Sequence, residues 1–224
     1  MTDRGSARAY GEPAEGRFGL HAGIVEQNVD DRGRVRVRLE WIDARHVTEW
    51  AKVAQIYAGD GFGAYWIPEV GDQVVVAFLD GDLRDPVVVG SLYSQAAVPH
   101  AVRTKKADPK YFRTRGGHLL MMEDAEGRRI ELVDLTGKNR VLIDTEANSI
   151  AIEAEADVTV DAGRNLSATA GGDATVEAAG NATLKGGGSV TVEAGGSLTL
   201  KAASITIEAP AGAVTVTGAS ISLN

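Results

Sequence analysis

Cysteine is absent from the 224 residues. That excludes a disulfide frame, a thiolate metal site and a cysteine nucleophile. Long apolar runs are missing as well, and no stretch approaches the roughly eighteen residues of a membrane span. The opening residues MTDRGSARAY lack the apolar stretch of a signal peptide, so the expectation is a soluble protein that folds in the cytoplasm. Positive charge is in deficit. The 23 Lys and Arg face 31 Asp and Glu, for a net charge of −8, which speaks against a general nucleic-acid binder. Aromatic residues are scarce and unevenly placed: all of the Phe, Tyr and Trp lie at or before Phe112. The second half must therefore be built from small and β-branched side chains, without the rings that supply much of an ordinary core. A thin, repetitive structure is expected there.

What is present reads as β-structure throughout. Residues 1–16 are polar and rich in Gly, Ala and Glu, as in a flexible arm. Strand signals begin at Phe18, and Arg34–Trp41 alternates strictly, with Val35, Val37 and Leu39 on one side and Arg34, Arg36 and Arg38 on the other. Trp50–Tyr57, Val74–Leu79 and Val87–Tyr93 are further strand candidates between Gly- and Asp-bearing turns. Short strands without helical periodicity predict a small all-β barrel over 17–95. Residues 96–113 read as a linker. Residues 114–149 hold the short strands His118–Met122, Arg129–Val133 and Arg140–Ile143.

From Ile150 an internal repeat takes over. Paired apolar positions recur every eight residues as Ile150/Ile152, Val158/Val160, Leu166/Ala168, Ala174/Val176, Ala182/Leu184, Val190/Val192 and Leu198/Leu200. Ile205/Ile207, Val214/Val216 and Ile221/Leu223 continue it at spacings of seven, nine and seven. Each octad predicts a three-residue strand with its outer residues inward, threonine at the outward centre, and a glycine-bearing corner.

About two apolar side chains per octad cannot offset the entropy of ordering eight residues. A lone ribbon is therefore unstable and needs neighbours. A single chain coiling on itself and three chains wound about one axis are the two closures available. A solitary coil commonly carries irregular turns, protruding loops and a cap. The unbroken octad phase favours an intertwined homotrimer. Its core would hold Ile150, Ile152, Val158, Val160, Leu166, Val176, Leu184, Val190, Val192, Leu198, Leu200, Ile205, Ile207, Val214 and Val216. Three copies of Ile221, Ser222, Leu223 and Asn224 would present an unpaired triangular edge, a surface that attracts a cap.

An ordered set of motifs carries a family resemblance. Gly23-Ile-Val, Gly33-Arg-Val-Arg-Val, Trp50-Ala-Lys-Val-Ala, Ala58–Gly63, Pro68–Phe78 and Gly81–Tyr93 follow one another in sequence. Together they resemble the OB-fold domain in the central spike of contractile injection systems, the family of the phage baseplate assembly protein V and the VgrG proteins. Gly116-Gly-His-Leu-Leu and the octads are similar to that spike's triple-stranded β-helix. The resemblance spans roughly 17–224 and implies a non-enzymatic structural spike assembled in the bacterial cytoplasm and resident in a baseplate. It implies a hub protein at the barrel end, a small PAAR-like tip protein at the other, and brief contact with a target membrane. No large hub domain precedes the barrel, the linker has no room for a lysozyme domain, and no His-x-His tip site is present, so the resemblance implies a bare shaft.

Other motifs have plainer readings. Gly59-Asp-Gly-Phe-Gly63 lacks the Lys-Ser/Thr of a phosphate loop and reads as a tight turn. Asp80, Asp82 and Asp85 lack the glutamate that completes a calcium loop. Arg34, Arg36 and Arg38 make a basic row that fits a solvated face or a protein contact better than nucleic acid. Glu153, Glu155, Asp157 and Asp161 read as outward carboxylates that keep a prism soluble. The alternative they leave open is a carbohydrate-binding or carbohydrate-cleaving β-helix with an accessory barrel. No catalytic, metal or cofactor residues are assigned.

Overall fold

The computed structural model describes residues 19–222, and the chain divides into two compact units, residues 1–159 and 160–224. Residues 1–16, read as an arm, lie outside the described residues, as do Leu223 and Asn224. No α-helix occurs among the described residues. A single 3₁₀ turn at Leu79–Gly81 interrupts twelve strands.

The first unit opens with the barrel. Its strands are β1 (His21–Gln27), β2 (Arg36–Arg38), β3 (Lys52–Val53), β6 (Gln73–Phe78) and β7 (Pro86–Leu92), with the ribbon β4 (Ala58–Gly59) and β5 (Phe62–Gly63) between β3 and β6. The sheet order is β2-β1-β6-β7-β3, antiparallel except for the parallel pair β3/β7. Residues 46–51 then bond back to the free side of β2. Val35 N–H donates to Ala51 O at 3.0 Å, Ala51 N–H to Val35 O at 2.7 Å, and Leu39 N–H to His46 O at 2.9 Å. That return closes the circuit in OB topology. The period-two alternation does what it predicts: Val35, Val37 and Leu39 are fully buried and pack with Val25, Ala51, Val74, Val76, Phe78 and Val88. Close packing of β1 on β2 demands glycine at Gly23, where a Cβ would stand 2.4 Å from Val37 Cγ1 and 2.9 Å from Arg38 O. The all-β class is thus borne out, with the first sheet curved as a half-barrel.

Thr48 is the one polar residue sealed into this closure. Its N–H donates to Val37 O at 2.9 Å, and its hydroxyl accepts from Val37 N–H at 3.0 Å. Thr48→Val keeps the shape and leaves the buried Val37 N–H without an acceptor. It is expected to lower the stability of the barrel by about 1–3 kcal/mol. Urea unfolding followed by tryptophan fluorescence measures this, and an unchanged midpoint would remove the hydroxyl from the closure.

The second sheet is a five-stranded antiparallel meander: β8 (Pro109–Arg113), β9 (Leu119–Glu123), β10 (Arg129–Val133), β11 (Arg140–Asp144) and β12 (Ser149–Glu153). Two boundaries differ from the sequence expectation. The linker 96–113 ends in a strand, because 109–113 pairs in full register with β9. Ile150 and Ile152, read as the first octad, form the last strand of the meander, opposite Ile143 and Val141 of β11. Trp50–Tyr57 also shrinks to β3. Beyond Val53 the chain is held by Gln55, whose side chain bonds both backbone groups of Trp66 at 3.1 and 3.2 Å.

Candidate assembly surface

Alternation in the meander separates two unlike faces. One carries Arg129, Glu131, Arg140 and Glu153 in a cross-strand ionic chain. Glu131 takes Arg129 at 3.1 Å and Arg140 at 2.9 Å, and Arg140 reaches Glu153 at 3.6 Å. Segment 100–108 runs against this side, with Tyr111 Oη accepting from Ala101 N–H at 3.3 Å. Glu123 is buried and receives the N–H groups of Asp108 at 2.6 Å and Ala125 at 2.9 Å, which hold its carboxyl below the usual glutamate range.

The opposite face is apolar. Its side chains stand in two straight rows set by the register: Phe112, Leu120, Leu132, Val141, Ile152, and beside them Met122, Ile130, Ile143, Ile150. These nine are 37–71% exposed. Trp66 of the barrel extends the patch by stacking on Phe112, with ring centroids 5.2 Å apart. A hollow of about 380 Å³ opens beside Leu132, Val141 and Ile152. A contiguous apolar face of this extent on a charged chain marks a surface meant to be covered. Sequence reasoning selected Ile150 and Ile152 from it and missed the rest. The alternation in Arg-Ile-Glu-Leu-Val and Arg-Val-Leu-Ile-Asp was the available signal.

In the second unit no repeat residue is buried among the described residues. The fifteen residues assigned to a trimer core, taken over both units, are all exposed, from 51% at Val190 and Val214 to 93% at Val176. After Glu153 no strand pairing occurs among the described residues, and the one turn bond there runs from Gly212 N–H to Ala209 O at 3.2 Å. Of the expected tip segment, Ile221 is 53% exposed and Ser222 is exposed, while Leu223 and Asn224 fall outside the described residues.

The remaining motifs are occupied locally. Arg34 grips Asp30 through two bonds at 2.9 and 3.0 Å, which raises the guanidinium's pKa and holds the Asp30 carboxyl well below the usual aspartate range. Arg36 donates to Thr48 O at 3.0 Å, and Arg38 pairs with Glu26 and Glu40, so each arginine of the row has a partner within the barrel. Asp82 binds Arg84 at 2.6 Å and Asp85 binds Lys52 at 3.0 Å. Gly59–Gly63 forms the β4/β5 ribbon. Gly63 has φ +141°, and a Cβ there would stand 2.5 Å from Tyr57 O, so the glycine is required by the turn. His21 stacks on Trp41 at 4.3 Å, and His100 stands edge-on to Tyr111 at 5.7 Å. Among the described residues no group of three metal-binding side chains comes together, and no helix is long and apolar enough to cross a membrane.

Comparison with known proteins agrees with the barrel. Residues 21–93 match the family described as the type VI secretion system/phage-baseplate injector OB domain. The chain is 30% identical over 147 residues to the type VI secretion system spike protein VgrG1b of Pseudomonas aeruginosa, covering 62% of this chain and 19% of that protein. It is 42% identical over 72 residues to VgrG2a of the same organism, covering 30% and 9% respectively. It is also 30% identical over 108 residues to the actin cross-linking toxin VgrG1 of Vibrio cholerae, covering 44% and 10%. The chain spans about a fifth of the length of the first of these relatives. The chain is thus similar to VgrG spike proteins, with residues 21–93 matching the injector OB domain, and the carbohydrate alternative is not favoured by these similarities.

Proposed function

We propose that this VgrG-like chain is the non-enzymatic central spike of a contractile injection particle, working as a homotrimer. The observation that carries the reading is the second unit, whose backbone makes almost no hydrogen bonds to itself. Buried or structured backbone groups must be paired, and a β-repeat lacking internal partners needs them from other chains. A self-coiled ribbon would bond to its own earlier turns, and none of the described residues after Glu155 forms a backbone ladder with an earlier one. The exposed apolar rows of the meander supply a matching surface in the first unit.

In this reading the octads of three copies braid into a triple-stranded β-helix, a stiff rod. Its interlocked ladders must open together before the shaft bends. The barrel meets a baseplate hub, the segment Ile221–Asn224 meets a PAAR-like tip protein, and sheath contraction drives the assembly through a target membrane. Assembly takes place in the bacterial cytoplasm, and no nucleic acid or cofactor takes part. Light scattering tests the core of this: the expected mass is three times 23.5 kDa, and a single copy would end the proposal. Capture of a co-encoded PAAR-like protein, lost on deleting Ile221–Asn224, tests the tip contact.

A further inference from the structure

We infer that the charged residues of the octads form a column of alternating sign that holds the three copies in register. The inference rests on the trimeric reading above and goes beyond it. Two residues after the outward threonines Thr175, Thr183, Thr191, Thr199 and Thr206 stand, in order, Glu177, Lys185, Glu193, Lys201 and Glu208. The sign alternates through these five, with Asp161 and Thr169 preceding them in the same column, and every charged side chain after Asp173 sits at this position. All five side chains are exposed, and none forms an ion pair among the described residues. The last acidic partner in any ion pair is Glu155. Any side-chain counter-charge for them would come from another copy.

The winding supplies them. When three chains share one axis, each level carries the same octad of all three copies on three faces. Along any one face, successive levels come from different copies, one octad apart, as parallel strands ~4.8 Å apart. Lys185 of one copy then lies between Glu177 and Glu193 of the other two, and Lys201 between Glu193 and Glu208. Opposite charges directly across a strand pair are stabilising, and like charges are destabilising.

The apolar repeat cannot fix this alignment by itself. Val190/Val192, Leu198/Leu200, Ile205/Ile207 and Val214/Val216 present nearly interchangeable cores. A chain that loops out one octad advances all later octads by one level. Its cost is a lost rung plus a loop closure that grows slowly with length. After such a slip identical residues of adjacent copies become neighbours, Glu against Glu and Lys against Lys. The column penalises the slip where the core does not, as polar positions set register in other repetitive assemblies.

The absence of cysteine makes the test direct, because an introduced pair reports one proximity. In the full-length chain Thr191→Cys with Thr199→Cys is expected to give disulfide-linked copies on mild oxidation, since these positions are neighbours across copies in true register. Failure of that link overturns the trimeric reading itself. Thr191→Cys alone meets its own counterpart only after a one-octad slip, so the native column is expected to give little linked product. Converting all five charged positions to threonine, the residue already at positions 169 and 217 of the same column, is expected to raise that product roughly tenfold. Inverting all five charges (E177K, K185E, E193K, K201E, E208K) restores alternation and is expected to return it to the native level. A threonine column that slips no more than the native one overturns the inference, as does an inverted column that slips as much as the threonine one. In both cases the Thr191/Thr199 pair still links and the trimer stands.

Discussion

Chains carrying Leu132→Asp together with Ile143→Asp are expected to sediment as single copies of 23.5 kDa, with the barrel still folded. Both residues stand in the middle of the two apolar rows, at 54% and 40% exposure, and neither touches the barrel core. In the isolated chain the substitutions are nearly neutral, because each new carboxylate faces water. At an interface of three such faces, six unpaired carboxylates would lose their hydration, at several kcal/mol each. Sedimentation reads the mass, and near-ultraviolet dichroism of Trp41 and Trp50 reports whether the barrel survives. A doubly substituted chain that remains trimeric would remove this face from the interface and leave assembly to the octads alone.

The second large effect concerns the barrel. Leu39→Ala is expected to destabilise it by about 2–5 kcal/mol, the range for emptying a well-packed aliphatic site. Leu39 is fully buried, and its N–H donates to His46 O in the strand return that closes the sheet. The cavity would form where few neighbours can move, against Gly23 and its close approach to β2. All three tryptophans lie in the first 66 residues, so fluorescence in urea follows the barrel and not the repeat. A drop under 1 kcal/mol would mean that the closure relaxes into the space. Val29, 90% exposed at the end of the same region, serves as the control whose replacement by alanine should leave the midpoint unchanged.

These two outcomes separate the stability of a single copy from that of the assembly, and the molecule divides along the same line. A barrel core of Val, Leu and Phe is complete within one chain. The meander completes only half of its burial, with ionic residues and Met121 on its covered side and aliphatic ones outside. The octads complete none. Apolar content therefore moves from inside the fold to its exterior along the sequence, which is the order expected of a chain whose later parts fold only on their own copies.

Much of this was decided by the residues themselves. Strict alternation at Arg34–Trp41 determined which side of β2 is buried, since side chains of a strand point to opposite faces whatever the partner. The octad phase, the absence of rings after Phe112 and the ordered barrel motifs likewise belong to the sequence, because they depend only on spacing and size. Tertiary structure decided the rest. The parallel β3/β7 pair and the bonding of 46–51 back to β2 join distant segments, and no local signal records which distant edge a strand will choose. The same holds for Pro109–Arg113, whose proline and lysine suggest a linker until β9 offers it an edge. In the meander, sequence separates Ile130 and Leu132 from Arg129 and Glu131. Only packing shows that the charged side is the one the chain covers, because a face can be left apolar when another copy is there to bury it.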